Sequence, residues 1–274
     1  MKTLLVHLDA GSHNGQRLRV ARQLAQQQQA ALSALYAVTP VFAEMPMEAL
    51  AGGSATLMLQ EIDESRLMMA RRVFEHVATE PGMPVALSES RAVSPVRAVA
   101  QQAYYADLLV LGQRDPDAPA PGVPSDFVES VLIASGRPAL VLPYTGAAAP
   151  AGGNALVCWK ESAESARALG AALPLLRAAR QVHVARWGQE DAEQPLGGLD
   201  IGQYLRRHGI EAREHRHPSE PAELGELMLS LAADLSAEFM VMGCYGHGRA
   251  RELVLGGATR TVLRSMTVPV LMSH

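Results

Sequence analysis

The chain is poor in most features that announce a function directly. It has two cysteines, Cys158 and Cys244, in 274 residues. That is no disulfide framework, and a reducing cytoplasm is the expected compartment. Basic and acidic side chains number 24 and 28, a formal net charge of −4, so non-specific nucleic-acid binding has no electrostatic drive. Neither half compensates: residues 1–150 carry 11 basic and 14 acidic side chains, and the remainder 13 and 14. No apolar run approaches the roughly 18 residues that would cross a bilayer. The opening Met1-Lys-Thr-Leu-Leu-Val-His-Leu-Asp9 imitates a signal peptide briefly, but Asp9 stops it and a core strand explains it better. Also missing are a nucleophile elbow, a P-loop lysine motif, paired catalytic carboxylates, a Ser-Gly-Gly pyrophosphatase loop and the dinucleotide fingerprint Gly-x-Gly-x-x-Gly. Enzymes built on strand–helix alternation usually carry such chemistry at strand ends, so these absences point away from a metabolic catalyst.

What is present is written twice. Leu4-Leu-Val-His-Leu-Asp9 precedes an amphipathic helix with Leu18, Ala21, Leu24, Ala25 and Gln28 at helical spacing. Ala155-Leu-Val-Cys-Trp-Lys160 precedes one with Ala166, Leu169, Leu173 and Leu176. Ala106-Asp-Leu-Leu-Val-Leu-Gly112 aligns with Ala237-Glu-Phe-Met-Val-Met-Gly243, and Arg137-Pro-Ala-Leu-Val-Leu142 with Val268-Pro-Val-Leu-Met272. Landmarks recur in the same order, which marks a duplication. The small, flexible stretch Thr145–Gly153 reads as the linker between domains at 1–145 and 152–274. In the second repeat, strands are expected near 154–159, 181–187, 211–215, 238–243 and 268–272, with helices near 163–179, 198–208, 220–235 and 250–265. Strands that are continuous apolar runs suit a parallel sheet covered on both faces. The alternation then gives right-handed βαβ units and a doubly wound α/β sandwich. Ligands of such sheets sit beyond the carboxyl ends of the strands, at the switch between the first and the fourth.

That is where the most informative segment falls. Gly243-Cys-Tyr-Gly246-His247-Gly248 follows a strand, and Gly256-Gly257-Ala258-Thr259 leads into a helix. Glycines admit an anion close to the backbone, and unpaired N–H groups at a helix start point at it.

On these residues the chain resembles the universal stress protein family in its tandem two-domain form. Nucleotide-binding members carry Gly-x2-Gly-x9-Gly-(Ser/Thr) after the fourth strand, and Gly243, Gly246 and Gly256 stand at that spacing. The resemblance implies two doubly wound parallel five-stranded sheets, Rossmann-like sandwiches of the adenine-nucleotide alpha-hydrolase-like kind. It implies that backbone N–H groups of 243–248 and 256–259 hold the phosphates of ATP or AMP, with or without Mg²⁺. Gly243, Gly246, His247, Gly248, Gly256, Gly257, Ala258 and Thr259 are then site residues. It also implies that the last strands, 139–142 and 268–272, pair across a pseudo-twofold, an internal dimer compatible with a further homodimer.

Two departures matter, at Gly257 and Lys160, and a third residue, Trp187, has two readings. Gly257 replaces the Ser/Thr after the third glycine, and Thr259 takes the second hydroxyl position. Lys160, one of two lysines, stands where an acidic residue is common; it would lie near phosphates or be a solvated side chain beside Glu161. Trp187, at the end of the second strand, would stack on a base or be a half-buried aromatic. The first repeat departs further. After Gly112 come Pro116, Pro119, Pro121 and Pro124, which cannot donate an N–H, and Asp115, Asp117 and Asp126, which repel phosphate. Ser125 and Val128 take the third-glycine and threonine positions, although Asp9 keeps the acidic one. A structural first repeat and a ligand-binding second one are expected.

The function implied is a cytoplasmic stress-response protein whose second domain binds an adenine nucleotide in a regulatory role. The alternatives are a ligand-free interaction module and a slow ATP hydrolase. Four smaller features stand beside these. Cys158 and Cys244 lie near neighbouring strand ends but match no zinc spacing. His215 and His217 share one face of a strand, as metal ligands or as a solvated edge. Arg249 and Arg251 screen phosphate or form a solvated helix start. Phe42 to Met58, with Met45 and Met47, reads as a mobile insertion rather than a lid.

Overall fold

The computed structural model describes residues 1–45, 53–90, 92–188, 200–217, 223–244 and 257–274. They form two compact units, Met1–Arg137 with Tyr144–Ala149, and Pro138–Pro143 with Pro150–His274.

In the first unit, strands β1 (Thr3–Leu8), β2 (Ala31–Tyr36), β3 (Val85–Glu89) and β4 (Leu108–Gly112) alternate with helices α1 (Asn14–Gln28), α2 (Val41–Glu44), α3 (Gly53–Ala78), α4 (Pro95–Ala103) and α5 (Phe127–Ser135). The strand order is β3-β2-β1-β4, all parallel. The central strands β1 and β4 are continuous apolar runs because helices cover both of their faces. Chain ends of helices are written in the sequence: Ser94 caps α4 by accepting from Arg97 N at 3.2 Å, with Pro95 following it. Arg22 is buried in α1 and its guanidinium bonds the carbonyls of Val77, Glu80 and Met83, closing the end of α3. The expected insertion over 42–58 is helical where described: Val41–Glu44 form α2, and Met58 belongs to the 26-residue α3. Met47 lies outside the described residues. The insertion reading missed α3 because its exposed face carries Leu57, Met58, Ile62, Met68 and Met69, which blurs the apolar periodicity.

In the second unit, β6 (Asn154–Cys158), β7 (Gln181–Trp187), β8 (Ala212–His217), β9 (Ala237–Gly243) and β10 (Val270–Ser273) alternate with α6 (Ala163–Ala178), α7 (Ile201–Arg207), α8 (Leu224–Asp234) and α9 (Gly257–Ser265). Strand β5 (Ala139–Leu142) joins this unit, and the order is β5-β10-β9-β6-β7-β8. The β5–β10 ladder is the antiparallel one, with Val141 opposite Val270 and Ala139 opposite Met272. Both strands are entirely buried, so pairing removes two apolar edges that would otherwise invite association. The pairing expected of 139–142 and 268–272 is therefore observed. At the other side, β8 reads Ala-Arg-Glu-His-Arg-His and is half exposed; charge protects that edge instead.

Candidate functional site

The carboxyl ends of β6, β7 and β9 lie together in the second unit through the β9–β6–β7 ladders. Two local devices build this end. Ser162 caps α6, its Oγ accepting from Ser165 N at 3.2 Å. Gly243 ends β9 directly under that helix start. A Cβ on Gly243 would stand 2.6 Å from Ser165 N and 2.9 Å from Ser165 Oγ, so nothing larger fits. The first glycine of the loop is thus required by packing of strand end against helix start.

Of the remaining site residues expected from sequence, Gly246, His247, Gly248 and Gly256 lie outside the described residues, as do Arg249 and Arg251. Gly257 begins α9, and a Cβ there would meet nothing within 4 Å. Space does not explain why glycine replaces the hydroxyl residue. Ala258 is half-buried, and Thr259 is buried in the first turn of α9. Lys160 follows β6 and is exposed. Trp187 is half-buried and stacks on His217, with ring centroids 5.3 Å apart and planes within 10°.

Sequence reasoning missed a set of buried polar nitrogens here. Trp159 Nε1, Arg186 Nε and His217 Nε2 are buried atoms without a hydrogen-bond partner. Trp159 extends β6, its N–H donating to Ala185 O at 2.8 Å, while Arg186 is the penultimate residue of β7 and His217 ends β8. Arg186 has one distant carboxylate, Glu161 Oε1 at 3.9 Å. An unpaired buried donor costs about 1–3 kcal/mol. The signal available in sequence was Trp, Arg and His at three successive strand ends.

The sulfur pair gains no support. Cys158 and Cys244 are buried thiols, and burial pushes the Cys158 thiol well above its ordinary pKa, which makes it unreactive.

The corresponding end of the first unit is filled by the protein itself. Asp9, buried at the end of β1, pairs with Arg17 Nη1 at 2.9 Å, and its Oδ1 accepts from Gly11 N at 2.6 Å. Burial alone would raise the Asp9 carboxyl, but Arg17 and its other partners hold it below the usual carboxylate range. Arg17 also donates to His7 O at 2.8 Å and lies over Gly112, where a Cβ would meet its Nη2 at 2.6 Å. Gly112 and Gly243 therefore end matching strands for different reasons. The first admits an arginine, the second a helix start. The segment after Gly112 folds over the strand ends. Asp115 Oδ2 stands 2.9 Å from His13 Nε2, Thr39 N donates to Gly122 O at 2.7 Å, and Val123 packs on the cluster of Tyr36, Val38 and Ala70. His7, behind the pair, donates to Ala37 O at 2.8 Å and packs on Phe127 at 4.4 Å between ring centroids.

A doubly wound α/β sandwich whose fourth strand ends in glycine beneath a capped helix start defines the class: a Rossmann-like sandwich with its open end beyond the strand termini. Residues 153–274 match the model of the Universal stress protein family, and the second repeat is a universal stress protein domain. The whole chain is similar in fold to two solved structures. One is a universal stress protein from Archaeoglobus fulgidus DSM 4304, with 17% identity, a TM-score of 0.68, and 99% of this chain and 95% of that one covered. The other is a candidate universal stress protein from Pseudomonas aeruginosa UCBPP-PA14, with 17% identity, a TM-score of 0.60, and coverage of 100% and 93%. A comparison with curated proteins returned no match. Among the described residues, no helix is long and apolar enough to cross a membrane.

Proposed function

We propose that the second unit binds an adenine nucleotide, ATP or AMP, beyond the carboxyl ends of β6, β7 and β9, and that binding regulates a cytoplasmic stress response. One observation carries this reading. Trp159 Nε1 and Arg186 Nε are buried donors without a hydrogen-bond partner on one face of the sheet at the carboxyl ends of β6 and β7, and His217 Nε2 is unpaired on the other face. A ligand rich in acceptors, as bases, riboses and phosphates are, would satisfy the two donors. The first unit, whose strand ends are occupied by Asp9, Arg17 and the segment over them, has a structural role. Lys160, exposed after β6, adds a positive charge for phosphate.

A competing reading, an interaction module without ligand, gains from Gly243. Its packing against Ser165 explains the glycine whether or not a nucleotide binds. Calorimetric titration of ATP and of AMP into the full chain, with and without Mg²⁺, decides between them. Binding with a stoichiometry of one, weakened in Arg186→Ala, is expected. No heat with either nucleotide under either condition overturns the proposal and leaves the interaction module.

A further inference from the structure

Outside that site, two histidines of the second unit meet across neighbouring strands. His183 Nδ1 and His215 Nε2 lie 2.9 Å apart. In the β7–β8 register His183 faces Arg213 and Ala185 faces His215, so the two histidines occupy one face of the sheet at diagonal positions. Their ring centroids are 5.1 Å apart and the planes are tilted by 40°, so the nitrogen edges converge rather than stack.

We infer that His183 and His215 form a two-imidazole site for a divalent transition-metal ion of the zinc or copper kind. Two nitrogens ligating one zinc at about 2.0–2.1 Å, at cis to tetrahedral angles, stand roughly 3 Å apart. The observed separation matches, so a small ring rotation exchanges a shared proton for a shared cation. The donor ring moves that proton to its other nitrogen, and no charge is lost. The ring nitrogens must carry free lone pairs to ligate. Among the described residues no group of three histidines, cysteines or carboxylates could hold a metal, so water completes the coordination and the ion exchanges readily. The positive charge of Arg213 opposes every dication alike, so the choice among them follows imidazole affinity, with Cu²⁺ ahead of Zn²⁺.

The test is a titration of the full chain with Zn²⁺, following imidazole ¹⁵N signals at pH 7. Ligating nitrogens of His183 and His215 are expected to shift first, before the other histidines. His215→Gln is expected to weaken this first binding step by at least about tenfold, the lower end of what loss of even an outer-shell partner does. His208→Gln, at the end of α7 where the ring meets Arg177, is expected to leave it unchanged. Absence of any shift at His183 and His215 in the unsubstituted chain overturns the inference without relying on a variant. So does a His215→Gln chain that binds as tightly as the unsubstituted one.

Discussion

His7 offers the sharpest test of how the first unit is held. Its ring is buried in β1 against Phe127, and its Nε2–H donates to Ala37 O. Burial is the largest influence on its pKa, and it drives the value down. Asp9 pushes it up and Arg17 pushes it down, with a net fall from 6.5 to about 4. The folded value lies below the unfolded one, so the unfolded chain binds the proton more readily. The stability this residue contributes is therefore complete above pH 6.5 and is lost as the pH falls through 6.5 towards 4. Below about pH 4 both states are protonated and no further loss arises from this group. Each pKa unit corresponds to 1.36 kcal/mol, so the window is worth about 3 kcal/mol.

The direct assay is the pH titration of the His7 Cε1–H resonance, which is expected to have its midpoint near pH 4. Charge variants give opposite signs. Arg17→Met removes a cation that lowers the value, so the midpoint rises; Asp9→Asn removes an anion that raises it, so the midpoint falls. Urea unfolding between pH 7 and pH 4.5 supplies the energetic counterpart, because His7→Gln keeps an amide donor for Ala37 O but cannot titrate. Its stability in this range should fall less steeply than that of the unsubstituted chain. A midpoint near 6.5 in the folded protein, or shifts of the same sign in the two charge variants, refutes the reasoning.

Three further outcomes follow from the same geometry. Gly243→Ala drives a Cβ into Ser165 N and should destabilise the second unit by about 1–3 kcal/mol in urea unfolding, whether or not nucleotide is present. Ser162→Ala removes the cap that binds Ser165 N and should cost about 1 kcal/mol by the same measurement. Cys158 should resist a thiol reagent in the folded chain and react after denaturation, when two thiols should be counted; rapid modification of Cys158 in the folded protein would contradict its burial.

Much of the fold was legible because parallel strands covered on both faces have no alternation to disguise them. Leu108-Leu-Val-Leu and Phe239-Met-Val-Met are apolar throughout and stand out in a chain of mixed composition. The glycine ending β9 was legible as well, but its cause was not. Spacing suggested an anion, whereas the structure shows Ser165 N in the way of any side chain. The two explanations place identical demands on the sequence, and only three-dimensional packing separates them.

The same limit explains both the arginine and the histidine that sequence reasoning passed over. Arg17 lies one residue before Leu18, within the stripe of α1 that buries Asn14, Leu18, Ala21 and Ala25. A charge on a core-facing stripe demands a buried partner, and that demand could have been read. Its partner could not, because Asp9 reaches it only after the chain turns between β1 and α1. His215 invited pairing with His217, two residues on, since one strand alone fixes which side chains share a face. The register of β7 against β8 is a long-range property, and it brings His183 to His215 instead. Each missed contact joins residues whose proximity depends on a neighbouring element, so sequence could nominate one member and not the other. The nitrogens at Trp159, Arg186 and His217 belong to this kind: three strands end together, and only their assembly leaves Trp159 Nε1, Arg186 Nε and His217 Nε2 without a hydrogen bond.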